Sequence, residues 1–159
     1  MAPLALFRSL AKNEDLMEAM KPLGSYFLGR RSTLGLRLRE ILILRTCAKT
    51  ECEYEWGVHV TSFANTAGLT QDDVAALTNG AATDARWTEA EQLALTACDE
   101  LLESATLSHP TRTKLQLGYS EPDILALLAL VSWYRLIACV ANTVCEASEP
   151  WAARFPAAP

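Results

Sequence analysis

Four side chains able to move protons or make bonds fall within twenty residues: Glu40, Cys52, Glu55 and His59. Eleven residues separate Glu40 from Cys52, two separate Cys52 from Glu55, and three separate Glu55 from His59. In a helix turning about 100° per residue, His59 lies about 20° short of two full turns from Cys52, with Glu55 between them. The three therefore share one stripe. A thiol in the first turn of a helix sits in the partial positive charge of the N-terminus, which favours the thiolate. Two carboxylates beside an imidazole in partly dry surroundings have their pKa values pushed apart, as acid–base work at neutral pH requires. A histidine one turn beyond a glutamate can exchange a proton with it or hold it in place. Trp56 and Phe63 fall on the same side, as core or as a platform for substrate.

The same residue types bind metals. Glu55 and His59 offer only two ligands on one helix, however, and no second histidine cluster accompanies them. A metal is not expected.

These residues need helices to hold them. Residues 4–20 read as an amphipathic helix ended by Lys21-Pro22-Leu23-Gly24, and residues 36–48 as a second, dense in Leu and Ile. Capping-box patterns at Thr50…Glu53, Thr70…Asp73, Thr88…Glu91 and Ser120…Asp123 mark four further starts. With Thr50 as cap, Cys52 falls at the second helical position, and Gly68 stops that helix near residue 67. Helices over 71–78, 88–104, 109–117 and 121–147 complete the chain. No stretch shows sustained strand alternation. The expectation is one all-α domain over residues 1–159, of six to seven helices, with a frayed tail from about residue 150. The short link at Lys49-Thr50 lets the helix carrying Glu40 pack as a hairpin against the helix carrying His59.

Composition narrows the function. The net charge is −5, from 14 Lys+Arg and 19 Asp+Glu, which lacks the basic footprint of a nucleic-acid binder. Arg30, Arg31, Arg37 and Arg39 bunch before the motif, as a solvated helix face or as a mouth attracting an anionic substrate. The most apolar stretch, residues 124–144, contains Arg135 and Asn142 and reads as a buried helix or oligomer seam rather than a membrane span. Five cysteines with no export signal point to free thiols and a cytoplasmic setting. Cys98, Cys139 and Cys145 read as small buried hydrophobes.

The run Arg39-Glu40…Cys52-Glu53-Tyr54-Glu55-Trp56-Gly57-Val58-His59 resembles the signature of the carboxymuconolactone decarboxylase and AhpD-like superfamily. Its thiol-peroxidase branch carries Glu, eleven residues, Cys, two residues, Cys, three residues, His. This chain matches that spacing except that Glu55 replaces the second cysteine. The resemblance implies an all-helical domain assembling into trimers or hexamers, with a small-molecule substrate bound near the motif helices. In the peroxidase branch the second cysteine attacks peroxide and the first resolves it, so losing the second weakens that reading. Cys47, across the helix boundary from Cys52, is a poor replacement. In the decarboxylase branch, a carboxylated γ-lactone loses CO2 without a cofactor, and an acid–base pair protonates the carbon left behind. The resemblance then makes His59 the proton donor or shuttle, Glu55 its partner and Glu40 its orienter or a second acid. Trp56 and Arg39 are the expected substrate contacts. The leading expectation is such an acid–base enzyme acting on a small lactone or keto acid. A thiol-dependent peroxidase acting through Cys52 and a non-catalytic, ligand-binding helical oligomer are the alternatives.

Overall fold

A computed structural model describes residues 3–145 and 147–156 of the chain. Eight α-helices and one π-helical turn make up the regular structure of these residues, with no strand among them. They are α1 (Ala5–Leu10), α2 (Glu14–Leu28), α3 (Leu36–Lys49), α4 (Glu53–His59), the π turn (Val60–Ala64), α5 (Gln71–Asn79), α6 (Glu89–Ser104), α7 (His109–Gly118) and α8 (Glu121–Val144).

The core is built around α3. Every residue from Arg39 to Cys47 on this helix is buried, so α3 is enclosed on all sides. It packs against α4, α5, α6 and α8. A fully enclosed helix must neutralise its own charges. Arg45 does so with a two-pronged pair to Asp99 of α6, Nε to Oδ1 at 2.8 Å and Nη2 to Oδ2 at 2.7 Å. Its Nη1 donates to the carbonyls of Leu77 and Gly80 at 3.0 and 2.9 Å, closing the C-terminus of α5.

The N-terminal region divides where one helix was expected. Asn13 caps α2 by accepting the Leu16 N–H, and Glu14 and Asp15 follow in the first turn. That signal was present in the sequence. α2 then continues through Pro22 and Gly24 to Leu28 instead of stopping. Its interior Pro costs one helical hydrogen bond. The loss is offset by packing of Met17, Met20 and Phe27 on the core.

Three of the four expected capping boxes place caps correctly. Thr70, Thr88 and Ser120 each accept the N–H three residues on. Thr50 does not. As the C-cap of α3, its hydroxyl donates back to the Thr46 carbonyl at 2.7 Å, and Cys52 takes the N-cap position of α4. The long apolar α8 meets the length and hydropathy of a membrane span. Here one face, including Leu127, Leu130, Tyr134 and Ala138, is buried against the core.

Residues 150–156 are not frayed. Ala152 is buried, and Ala153 and Phe155 pack on the core. Ala153 N–H donates to the Thr61 hydroxyl at 3.0 Å, and Phe155 N–H to Glu53 at 2.9 Å. This strap lies so close to α4 that a Cβ on Gly57 would collide with the Ala153 carbonyl. The last three residues of the expected tail lie outside the described residues.

Candidate functional site

α3 and α4 bring Glu40 and His59 together at the centre of the molecule. Glu40 is fully buried, and its Oε2 lies 2.7 Å from His59 Nδ1. The other oxygen, Oε1, is held by Arg39, with Nε and Nη2 each at 2.8 Å. The arginine compensates the buried carboxylate, and the guanidinium lies over the Phe63 ring at 5.6 Å. A carboxylate so held accepts a proton-bearing nitrogen, so Nδ1–H donates to Glu40. Nε2 is then the ring nitrogen directed away from Glu40. Glu40 fixes the tautomer and the direction in which the imidazole points, as the buried acid of a catalytic triad does.

Nε2 faces two groups. The Tyr134 hydroxyl, from α8, is 3.1 Å away, and Glu55 Oε2 is 3.8 Å away. Burial pushes the Glu55 carboxyl above its ordinary range, with the nearby His59 pulling the other way. Burial, reinforced by the negative charge of Glu55, also raises the Tyr134 phenol well above its ordinary value. Both groups are therefore held towards their protonated forms beside a basic nitrogen. That is the state from which an acid donates.

This chain ends at a cavity of about 670 Å³. Glu55, His59 and Tyr134 form part of its wall. The rest is mostly apolar, with Leu6, Leu10, Met20, Phe63, Trp133 and Ile137 among the lining and Lys21 its only Lys or Arg. α1 and α2 supply much of the wall. The N-terminus of α1 is tied down by Glu149, which accepts the Ala5 N–H at 2.7 Å and the Tyr54 hydroxyl at 2.8 Å. Immediately after His59 the helix loosens into the π turn over Val60–Ala64. Such turns recur at functional sites because they re-aim the side chains on one face of a helix.

The expected site residues separate into two groups. Glu40, Glu55 and His59 converge. Arg39 does not meet the cavity, because its guanidinium is bound to Glu40. Arg37 is likewise engaged, with Glu91 at 2.7 Å and the Gly68 carbonyl at 2.7 Å. Trp56 faces the other way, its ring 5.0 Å from that of Phe155 on the strap. Cys52 is buried beside Cys47 and is absent from the cavity wall. Cys98 is buried as expected, its thiol pushed up to about 12 chiefly by burial, whereas Cys139 is exposed. Among the described residues no cluster of His, Cys, Asp and Glu is grouped as metal ligands would be. Tyr134 is the site residue that the motif did not reveal. Its only trace in the sequence is a hydroxyl-bearing aromatic within a helix of Leu and Ala.

The geometry and the sequence agree on a lineage. Residues 14–100 match the carboxymuconolactone decarboxylase family, and the chain belongs to that family. No curated protein matches it in sequence. In structure it is similar to a protein of unknown function from Agrobacterium tumefaciens, a candidate antioxidant defence protein AhpD. The two share 16% identity at a TM-score of 0.78, over 89% of this chain and 95% of the other. It is also similar to an uncharacterised peroxidase-related protein from Silicibacter sp., at 15% identity and a TM-score of 0.77. That match covers 93% of this chain and 78% of the other. At these identities the likeness establishes the AhpD-like fold alone.

Proposed function

We propose that the protein is an acid–base enzyme of the decarboxylase type whose substrate is largely apolar. The observation that supports this is the chain from Arg39 through Glu40 and His59 to Glu55 and Tyr134, which opens onto an apolar cavity at its acidic end. The arginine cluster left open a solvated helix face or a mouth attracting an anionic substrate. The cavity favours instead a lactone or keto acid whose single carboxylate is attached to an alkyl or aryl body. A volume of about 670 Å³ lies within the range of sites for whole small molecules.

In this reading the substrate carboxylate leaves as CO2, and the bonding electrons pass into the conjugated carbonyl. An apolar wall disfavours the anionic carboxylate and tolerates neutral CO2. Glu55, held protonated, delivers its proton to the carbon left behind. His59 Nε2, aligned by Glu40, returns a proton to Glu55 from solvent, and Tyr134 holds the imidazole between them. One proton is consumed for each CO2 released. Assembly into a trimer or hexamer accompanies this proposal. Phe7 and Trp151 at the cavity wall are 51% and 42% exposed, and a second copy would cover them.

The test is CO2 release from a panel of carboxylated γ-lactones and β-keto acids carrying alkyl or aryl groups. In D2O, deuterium should enter at the carbon that lost CO2. His59→Ala should lower turnover about 10²- to 10⁴-fold, the usual worth of a positioned acid–base group. If wild type releases CO2 no faster than His59→Ala across the panel, the proposal is wrong. Sedimentation velocity reads the assembly separately.

A further inference from the structure

Loss of CO2 creates a charge that the steps above leave unanswered. The electron pair passes onto the substrate carbonyl and makes it an enolate oxygen. In an apolar cavity that charge has to meet a hydrogen-bond donor already in place. The polar side chains of the wall are Lys21, Ser25, Glu55, His59, Ser62 and Tyr134. Lys21, Ser25 and Ser62 are exposed and belong to the mouth, whereas Glu55, His59 and Tyr134 are buried. The Glu55 proton goes to carbon, and His59 Nδ1–H is bound to Glu40. The Tyr134 hydroxyl remains, with His59 Nε2 behind it at 3.1 Å.

The proton count on His59 sets what Tyr134 offers. In the neutral ring Nε2 carries no hydrogen, so the phenol O–H donates to Nε2 and only oxygen lone pairs are left for a substrate. In the imidazolium, Nε2–H donates to the phenol oxygen, and the phenol proton turns away from His59 by rotation about the C–O bond. One proton on His59 thus converts Tyr134 from an acceptor into a donor. The two rings stand at 85° with centroids 5.2 Å apart, and both are buried, so the exchange turns one hydroxyl and moves no ring.

The charges balance in the same way. Arg39 and Glu40 already offset one another, so an imidazolium adds one positive charge to the series and the enolate one negative. Burial and the charge of Glu55 hold the Tyr134 phenol protonated, which keeps it a donor beside the enolate.

We infer that Tyr134 is a catalytic residue, the donor that holds the substrate oxygen while it is an enolate, with the His59 imidazolium behind it. The inference rests on the acid–base reading above. The C–C bond to the carboxylate breaks, CO2 leaves, and the pair of that bond ends on the carbonyl oxygen, held by Tyr134 O–H. The pair returns to carbon as Glu55 delivers its proton there, and the carbonyl re-forms. His59 passes its Nε2 proton to Glu55, and the Tyr134 O–H swings back to the emptied Nε2. Solvent then restores one proton to His59, so one proton is taken up for each CO2. The resting geometry, with the phenol against Nε2, is the closing state of this cycle.

The test is binding of 4-nitrophenol, whose oxygen lies on a conjugated carbon as an enolate oxygen does and whose ionised form absorbs in the visible. Wild type should bind the phenolate, read by absorbance. Tyr134→Phe should weaken that binding about 10- to 100-fold, the usual worth of a hydrogen bond to a charged group. Nitrobenzene, which lacks the oxygen, should bind both proteins alike. Equal phenolate affinity in the two proteins overturns the inference, because a tyrosine that only steadies the imidazole would leave it unchanged. So does a wild type that takes up nitrobenzene and not the phenolate. Should Tyr134→Phe fail to fold, 3-fluorotyrosine at position 134 keeps the shape and strengthens the donor. It should tighten phenolate binding, and no tightening overturns the inference. In turnover, Tyr134→Phe should lower kcat about 10²- to 10³-fold with KM little changed. Phenolate binding is read without CO2 release, so failure of this inference and failure of the decarboxylase reading are told apart.

Discussion

The two faces of α4 are both buried, and they are buried in different ways. On one, Glu55 and His59 meet Glu40, Arg39 and Tyr134, so each polar group is answered by another. On the other, Trp56 and Gly57 meet the strap of residues 150–156, and the Trp56 indole N–H has no partner among the described residues. The difference shows where this fold uses buried polarity. The cavity face carries a connected series of charges whose members depend on one another, and the strap face is close packing that leaves one donor unanswered. Damage to the first should change chemistry and stability together. Damage to the second should change stability alone.

The largest expected effect comes from breaking the series at its far end. Arg39→Ala leaves Glu40 buried without its counter-charge, which costs about 3–5 kcal/mol of stability in urea denaturation. A substrate-binding arginine would instead raise KM in a protein of unchanged stability. That outcome would undo the distinction between the faces.

Gly57→Ala strikes the other face. Its new methyl displaces the Ala153 backbone, for a loss of about 1–3 kcal/mol. Binding of an apolar fluorophore such as anilinonaphthalene sulfonate to the cavity should persist in the folded fraction. Its disappearance would show that the strap shapes the cavity.

Glu55→Gln sharpens the comparison through pH. The Glu55 carboxyl titrates above its ordinary 4.5 in the folded chain, so folding favours its protonated form. Its contribution to stability is complete below about pH 4.5 and is lost as pH rises through the raised value. Wild type should therefore lose stability relative to Glu55→Gln across that interval, as measured by melting at a series of pH values. Parallel curves for the two proteins would mean that Glu55 is not desolvated.

The smallest effect is at the turn between α3 and α4. Glu51→Gly relieves a left-handed non-glycine residue and should stabilise the fold by up to about 1 kcal/mol. A loss would mean that the Glu51 side chain does more than occupy the turn.

Much of this arrangement was legible in the chain. Glu55 and His59 were marked by spacing, because helical periodicity fixes which residues share a face, and Glu40 by the short link that lets its helix pack against theirs. Thr70, Thr88, Ser120 and Gly68 marked helix ends through interactions within four or five residues. Thr50 misled because its hydroxyl can either donate backward to a carbonyl or accept from N–H groups ahead. The Thr46 carbonyl behind it was chosen over the N–H groups ahead, which moved Cys52 from inside the helix to its cap. The count of helices was low because the break at Ala11–Asn13 was read through, although Asn13 with two acids after it is a start signal.

Sequence alone therefore determined an all-helical domain, its family, and a glutamate–histidine motif with carboxylate where a thiol could stand. These follow from local periodicity, capping and spacing, which act over one or two turns of chain. The tertiary structure decided what surrounds the motif. Tyr134 reaches His59 from 75 residues away, Arg39 turns inward to Glu40, and Trp56 turns to the strap. Such choices depend on which buried group finds a partner once water is gone, and that is settled only when distant helices close around α3.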